Sequence, residues 1–276
     1  MKKVLILLLI SISATAFAQR AFIRQNGTTN VYYLIDSVFQ TAQNGDTIYL
    51  PGGSFNIGSL TINKRLTIIG VGHVPDSTQA TYSTTLVGNI YLTSAASNGS
   101  ISGLYLTAAI YFGTNPGDQS ISFYSVSRCN VSAVILGYNP GAPGGSSYIT
   151  IKENIIRSQI IGCNSQFVSI ENNLVQGDIY YFNTNMLAKN NTFLGGNGCP
   201  AYAVNTVFNC TFENNVFMLA SGCGVIALST VGSCIFTNNV FNNNMTFPSG
   251  SNIGSGNNIN VSQTNFFVSE TNWLIE

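Results

Sequence analysis

Four charged residues recur at one position of a repeated segment, and their types could support acid–base chemistry. They are Lys152, Glu171, Lys189 and Glu213, each two residues before an asparagine. On stacked strands the two glutamates would lie about 9.6 Å apart, with Lys189 between them. Carboxyl groups roughly 6.5–9.5 Å apart suit an inverting glycosidase. A lysine beside both carboxylates opposes this role, because it favours their ionised form and a general acid needs a proton.

Two other interpretations of these residues compete with catalysis. Alternating charge on adjacent strands is typical of a surface ion-pair ladder, in which each pair contributes at most about 1 kcal/mol. The same stripe could instead bind a sugar. We favour the ladder, keep Lys152, Glu171, Lys189 and Glu213 as ligand-binding candidates, and identify no firm catalytic residue.

Tyrosines in the middle of the chain form a second candidate surface. Aromatic faces pack against a neutral polysaccharide while amides bond to its hydroxyls. The tyrosines are Tyr105, Tyr111, Tyr124, Tyr138, Tyr148, Tyr180 and Tyr181. We select Tyr180 and Tyr181 as ligand-binding candidates.

Metal and cofactor chemistry find little support. Calcium needs roughly six to eight oxygens, several from carboxylates, whereas the aspartates of this chain are isolated in sequence. Zinc needs closely spaced ligands, and neither a CxxC motif nor a histidine partner is present. His73 follows a glycine but has no neighbouring acidic cluster. We therefore predict no metal site and no cofactor.

The low charge excludes several classes of protein. Only 7% of the 276 residues are charged, with ten Lys or Arg against ten Asp or Glu. Nucleic-acid binding requires clustered cations, so we expect no nucleic-acid partner. Charge-rich disorder and coiled coils are excluded for the same reason. A chain that is 45% hydrophobic and rich in Asn and Gly favours stacked β-structure.

The first 18 residues have the features of a secretion signal. Lys2 and Lys3 precede an apolar run over residues 4–17, and AFA at residues 16–18 matches a signal-peptidase site. The run is shorter than the roughly 20 residues that span a bilayer, although an uncleaved anchor is the alternative. We predict a secreted or cell-surface protein with no membrane span after cleavage.

An internal repeat supplies the elements that must position the charged residues. Five segments share the pattern apolar, x, apolar, x, x, Asn, apolar, apolar, with Thr192 as the polar exception. Their reference asparagines are Asn154, Asn173, Asn191, Asn215 and Asn239. Extending the period adds Asn130 and Asn265, whose preceding residues are polar and leave their register open. The repeat predicts about nine stacked coils, forming a rod of roughly 40 Å.

Comparison of the five segments predicts which side chains face inward. The positions five and three before each asparagine, and two after it, are apolar or Cys, so we expect them in the core. We interpret the asparagines as a structural ladder, in which each residue adopts the left-handed conformation and bonds to the amide one rung away. Ligand contact by these amides is the alternative.

The runs GDTIYLPGG at residues 45–53 and LTIIGVG at residues 66–72 resemble the first coil of pectate-lyase-like proteins. This resemblance covers roughly residues 30–270. It implies an all-β, right-handed parallel β-helix of the secreted bacterial type. It also implies an N-terminal capping helix, which we place at residues 31–42 with Ile35, Val38, Phe39 and Ala42 on one side. Enzymes of that family act in a groove on the outside of the parallel sheets.

The predicted organisation has three parts. Residues 1–18 are the signal peptide, residues 19–45 the N-terminal segment with its helix, and residues 46–276 the β-helix. The sequence stops directly after a rung without an evident C-terminal cap, and open strand edges invite pairing. We expect a fragment, a fold-over of residues 266–276, or end-to-end contact of another subunit with the open coil.

Six cysteines in an exported protein suggest disulfides. Cys199 and Cys223 occupy matching Gly-Cys turns, so we predict a bridge between them. Cys210 and Cys234 occupy equal inward positions on adjacent rungs, where parallel Cβ vectors fit a disulfide poorly, and we expect buried thiols.

Taken together, these features favour an exported β-helix that binds a polysaccharide or cell-surface glycan, or serves as a structural or adhesive element, without a catalytic role. The alternative is a polysaccharide lyase or glycoside hydrolase with its groove on the outer sheet face.

Overall fold

The computed structural model describes residues 21–73, 82–139, 145–182, 184–194, 204–218, 226–227, 229–242, 245–246 and 252–261. The first half contains β1 (Phe22–Asn26), β2 (Thr28–Tyr32), α1 (Ile35–Thr41), β3 (Thr47–Tyr49), β4 (Gly53–Ile62), β5 (Thr67–Ile69), β6 (Thr84–Leu92), β7 (Ser100–Ser102), β8 (Tyr105–Phe112), β9 (Ser125–Ser127), β10 (Asn130–Ile135), β11 (Ser147–Lys152) and β12 (Ile155–Ile161). The second half contains β13 (Gln166–Glu171), β14 (Leu174–Val175), β15 (Ile179–Phe182), β16 (Thr184–Lys189), β17 (Thr192–Phe193), β18 (Val204–Phe208), β19 (Thr211–Glu213), β20 (Val216–Phe217), β21 (Ile226–Ala227), β22 (Ser229–Gly232), β23 (Ile235–Thr237), β24 (Val240–Asn242), β25 (Met245–Thr246), β26 (Asn252–Ile253) and β27 (Asn258–Val261).

Two long sheets run the length of the fold. The 12-stranded sheet has the order β2-β1-β3-β5-β7-β9-β11-β13-β16-β19-β23-β26. The 13-stranded sheet follows β27-β24-β20-β17-β14-β12-β10-β8-β6-β4, with β15, β18 and β22 as a branch. Pairing is parallel except where β1 meets β2 and β3. Each strand thus pairs with its counterpart in the next coil, which confirms an all-β solenoid of parallel sheets.

The inward columns lie in the core as the repeat predicts. Ile151 pairs in register with Ile170, Ile170 with Ala188, Ala188 with Phe212 and Phe212 with Phe236, and all five are buried. Burying such a side chain contributes roughly 1.5–3 kcal/mol. The core therefore extends along the rod as stacked columns.

An internal aromatic stack occupies the column two residues after the ladder asparagines. Phe193, Phe217 and Phe241 are fully buried, with successive ring centroids 5.0 Å apart. Phe212 and Phe236 form a parallel stack beside them at 4.8 Å. Two adjacent stacks of buried aromatic rings therefore fill this part of the core.

The asparagine ladder is continuous and buried from Asn154 to Asn239. At each step the Oδ1 of one asparagine accepts both the backbone N–H and the Nδ2 of the previous one, as Asn173 does from Asn154 at 2.9 and 3.0 Å. Each Nδ2 also donates to a carbonyl, that of Asn173 to Ile151 at 2.9 Å. Because buried polar groups are costly unless bonded, this network specifies the register of the coils.

Two details of the predicted ladder are corrected. Asn130 pairs with Ile155, one residue out of register, and Cys129 occupies the ladder position, donating its N–H to Asn154 Oδ1 at 2.9 Å. The next rung after Asn239 uses Asn257, whose Oδ1 accepts the Asn239 N–H at 2.8 Å. Asn265 lies outside the described residues.

The left-handed conformation belongs to the residue before each ladder position, not to the ladder asparagine. The residues with positive φ there are Gly103, Arg128, Glu153, Asn172, Asn190, Asn214 and Asn238. The chain turns at this residue, so the following asparagine points inward with ordinary backbone angles.

The N-terminal helix is shorter than predicted. It covers Ile35–Thr41, whereas residues 28–32 form β2 against β1. Val38, Phe39 and Ala42 are buried and Ile35 packs against the core, so the apolar side is as expected. Nearby, the Asp46 carboxylate is buried and lies 3.5 Å from the Arg24 guanidinium. Whether this helix caps the rod stays a prediction.

Cys210 and Cys234 are buried, as are Cys129 and Cys163. The predicted bridge between Cys199 and Cys223 falls outside the described residues.

Within the described ranges, no helix is both long and apolar enough to cross a membrane.

Candidate functional site

The outer face of the 12-stranded sheet brings the candidate charged residues together. Lys152 pairs in register with Glu171, Glu171 with Lys189, and Lys189 with Glu213. Their side chains point outward because the residues on either side of them along each strand face the core or the turn. We refer to these four residues as the charged column.

Contacts within the charged column are uneven. The Lys189 Nζ lies 3.2 Å from Glu213 Oε1 and donates a hydrogen bond to it. Glu171 instead accepts a hydrogen bond from the Ser169 hydroxyl. Among the described residues, Lys189 forms its ion pair with Glu213 and not with Glu171, although the spacing predicts both. Both partners remain partly exposed, with 39% and 34% of their side-chain surface accessible.

A second ion pair continues this strip at the adjoining turn. Arg128 Nε donates to Glu153 Oε2 at 2.7 Å, and both residues have positive φ. Hydrogen bonding to Glu153 raises the pKa of Arg128, and hydrogen bonding to Arg128 lowers the pKa of Glu153. His73 joins them by donating from Nδ1 to the Arg128 carbonyl at 2.8 Å. Sequence reasoning missed Glu153, because placing Asn130 in the ladder shifted Arg128 by one position.

Three exposed aromatic side chains form a stack on the other edge of the same sheet face. Phe123 and Tyr148 have ring centroids 4.7 Å apart, and Tyr148 and Phe167 4.8 Å, with interplanar angles of 4° and 5°. Their exposures are 59%, 48% and 44%. We call this stack the aromatic ridge.

All three ridge residues adopt the left-handed backbone conformation, with φ of 54°, 56° and 55°. In the neighbouring coils, the corresponding left-handed residues are Asn98, Asn185, Asn209 and Ser233. Asn tolerates this region far better than a bulky aromatic residue does. The sequence singled out Tyr148 only as one of several tyrosines and missed Phe123 and Phe167. The available signal was their position six residues before Cys129, Asn154 and Asn173.

The near-parallel stacking decides which part of each ring is available. Neighbouring rings cover the faces of Tyr148, so the ridge presents ring edges and the Tyr148 hydroxyl to solvent. The ridge is therefore an apolar rib, rather than the flat aromatic platform that the sequence led us to expect.

Small hydroxyl residues separate the ridge from the charged column. Ser125, Thr150 and Ser169 pair in register on β9, β11 and β13 and are partly exposed. The ridge residue and the charged residue of one strand are four positions apart, which corresponds to about 13 Å. From the long side chains on both edges and the short ones between them we infer a shallow groove parallel to the strand stacking.

The tyrosines Tyr180 and Tyr181 lie elsewhere. They belong to β15, a branch strand of the 13-stranded sheet, and contact each other edge to face at 4.8 Å. Burial raises the pKa of Tyr180 to about 12. The structure therefore does not bring these two candidates to the groove.

Three further tyrosines of the middle coils lie in other surroundings. The Tyr105 hydroxyl accepts a hydrogen bond from Arg157 at 2.7 Å, and Tyr111 stacks on Tyr91. Tyr124 is buried in the core.

Within the described residues, no three His, Cys, Asp or Glu side chains converge as metal ligands would.

No protein-family model and no curated protein matches the chain. Among solved structures, it is similar to a mutant of the PL6 family alginate lyase AlyGC, at 16% sequence identity and a TM-score of 0.42. The match covers 81% of this chain and only 39% of that one. The assignment of the fold therefore rests on the parallel strand pairing and not on this similarity.

Proposed function

We propose that the protein is an exported parallel β-helix that binds a glycan in the groove between the aromatic ridge and the charged column. The proposed fold is right-handed, of the pectate-lyase-like type, and export rests on the signal-like pattern of residues 1–18. The observation that carries the binding role is the exposed ridge of Phe123, Tyr148 and Phe167 in left-handed backbone.

Stability alone does not account for this ridge. A left-handed conformation costs a residue with a side chain roughly 1–2 kcal/mol. Each aromatic pair returns about 0.5–1.5 kcal/mol, and three rings form only two pairs. Asn at the same turn, as in Asn98 and Asn185, avoids most of that cost. Backbone strain retained at exposed aromatic positions is typical of ligand contact.

The groove offers the complementary groups that a sugar polymer needs. The apolar edges of the ridge can pack against sugar C–H groups, while Ser125, Thr150 and Ser169 exchange hydrogen bonds with hydroxyls. On the opposite edge, carboxylates accept and ammonium groups donate. Tyr148 lies four positions before Lys152 and Phe167 four before Glu171, so an extended chain parallel to the rod meets a ring on one side and a charged group on the other in two successive coils.

Replacing the ridge by the residue that neighbouring coils already use tests this function. The triple variant Phe123→Asn, Tyr148→Asn and Phe167→Asn should reduce glycan affinity at least about tenfold, since each ring contributes contact energy of the order of 1 kcal/mol. Tyr33→Asn is the matched control, because Tyr33 is equally exposed but lies on the N-terminal segment. Affinity electrophoresis and calorimetry against a polysaccharide panel would measure the effect. Unchanged binding by the triple variant would exclude the groove.

Catalysis is the second candidate function. Glu171 and Glu213 lie two rungs apart on the groove edge, as a glycosidase pair would. The Lys189 Nζ, however, lies 3.2 Å from Glu213 Oε1 and donates a hydrogen bond to it, so this carboxylate is already engaged by a cation. New reducing ends or unsaturation that disappear in Glu171→Gln or Glu213→Gln would establish an enzyme and refute the non-catalytic proposal.

A further inference from the structure

We infer that the glycan bound in the groove is neutral, not a polyuronate. This inference rests on the proposed function and concerns only the chemical class of the ligand. It is drawn from how the charged groups along the groove are already partnered.

Two of the three cations in the strip form ion pairs with carboxylates among the described residues, and the third lies beside one in register. Arg128 is bonded to Glu153 at 2.7 Å, and Lys189 to Glu213 at 3.2 Å. Lys152 stands in register beside Glu171 on the adjacent strand. The described strip thus contains three cations and three carboxylates in alternation.

A polyuronate carries a carboxylate on every sugar and therefore needs a cation free to meet each one. Binding it here would either break the existing ion pairs or place its carboxylates beside Glu153, Glu171 and Glu213. Like charges held within a few ångströms repel, and salt screens them only beyond roughly 8–10 Å. The strip therefore selects against acidic polymers.

A neutral glycan carries no carboxylates, so the carboxylates of the strip do not repel it. A carboxylate engaged by one cation still has lone pairs that accept sugar hydroxyls, and an ammonium group has further N–H donors. Ion pairing also fixes the orientation of both side chains, so less entropy is lost on binding. Paired charges on one edge and hydroxyls on the floor make a hydrogen-bonding surface without net charge.

A binding panel at two salt concentrations separates the outcomes. We expect a neutral β-glucan, mannan or xylan to bind with an affinity that changes less than about twofold between low and high salt, because no net charge is neutralised. Polygalacturonate and alginate should bind at least tenfold more weakly. Tighter, salt-sensitive binding of a polyuronate would overturn this inference and leave the glycan-binding function intact. Binding of neither class would overturn the proposed function itself.

A variant that releases one cation of the strip tests the same inference through a gain of polyuronate binding. Glu213→Gln releases Lys189, and we expect polyuronate affinity to rise about fivefold, the scale of one surface ion pair. Asp36→Asn is the matched control, since it makes the same charge change at an exposed residue of α1, and should not raise polyuronate binding. Circular dichroism confirms that both variants fold. Equal gains in both variants, or no gain in Glu213→Gln, would show that the ion pairs do not set ligand class.

Discussion

Two aromatic stacks in this rod have nearly the same geometry and opposite surroundings. The internal stack of Phe193, Phe217 and Phe241 has centroid spacings of 5.0 Å and no exposure, whereas the rings of the aromatic ridge are 44–59% exposed. The repeat alone produces ring stacking in both places, because equal positions of successive coils lie about 4.8 Å apart. Burial makes the internal stack part of the stability of the fold. The outer stack is exposed and lies in left-handed backbone, and on these two features we base the proposal that it contacts a glycan.

The largest effect should come from truncating the internal stack. Phe217→Ala removes a ring that contacts Phe193, Phe241, Phe212 and Phe236, and should lower the free energy of unfolding by about 3–5 kcal/mol. Urea denaturation monitored by circular dichroism measures it. Phe167→Asn in the aromatic ridge should change that free energy by less than about 1 kcal/mol. Similar losses in the two variants would contradict the distinction between the stacks.

The ladder asparagines should rank next. Asn191→Ala removes the acceptor of the Asn173 N–H and the donor to the Ile170 carbonyl, both buried. Each buried group left unpaired costs about 1–3 kcal/mol, so we expect a loss of about 2–4 kcal/mol. Asn190→Gly, at the exposed left-handed position beside it, should cost only a few tenths of a kcal/mol, because Gly tolerates that conformation. A large effect at Asn190 would mean that the turn, not the ladder, holds the coils.

Relieving the strain of the aromatic ridge should separate stability from binding. The triple Asn variant should be as stable as the wild type, or up to about 2 kcal/mol more stable, because the left-handed cost falls while the stacking energy is lost. Differential scanning calorimetry compares the melting temperatures. A clear loss of stability would reassign the ridge to the structural role of the internal stack.

The smallest effect concerns the ion pair at the edge of the groove. The pKa of Glu153 is lowered by Arg128, so its contribution to stability is present above the ordinary glutamate pKa of 4.5. It should be lost as the pH falls below 4.5 through the lowered folded-state pKa. NMR titration of the carboxyl carbon in wild type and Arg128→Gln measures the shift. A Glu153 pKa that does not move in Arg128→Gln would remove this contact from the proposed charge pairing.

The sequence predicted the structural columns well and the aromatic ridge poorly. Ile151, Ile170 and Phe212 could be placed in the core because they recur at a constant distance from an asparagine. Phe123 and Phe167 recur at a constant distance from Cys129 and Asn173, but Cys129 is not an asparagine, so the pattern was not visible. Asn257 was missed for a related reason, since one additional residue separates it from Ile253, which pairs in register with Phe236.

The sequence by itself determined the stacking of parallel strands, the buried asparagine ladder and the register of the charged column, because each depends on spacing within a single rung. Only the tertiary structure decided which residues of different rungs meet across turns of unequal length. The hydrogen bonds between coils align Cys129 with Asn154, and that alignment brings Phe123, Tyr148 and Phe167 into one ridge and Arg128 to Glu153. The physical reason is that turn length is free to vary along a solenoid, whereas the pairing of backbone and amide groups between coils is not.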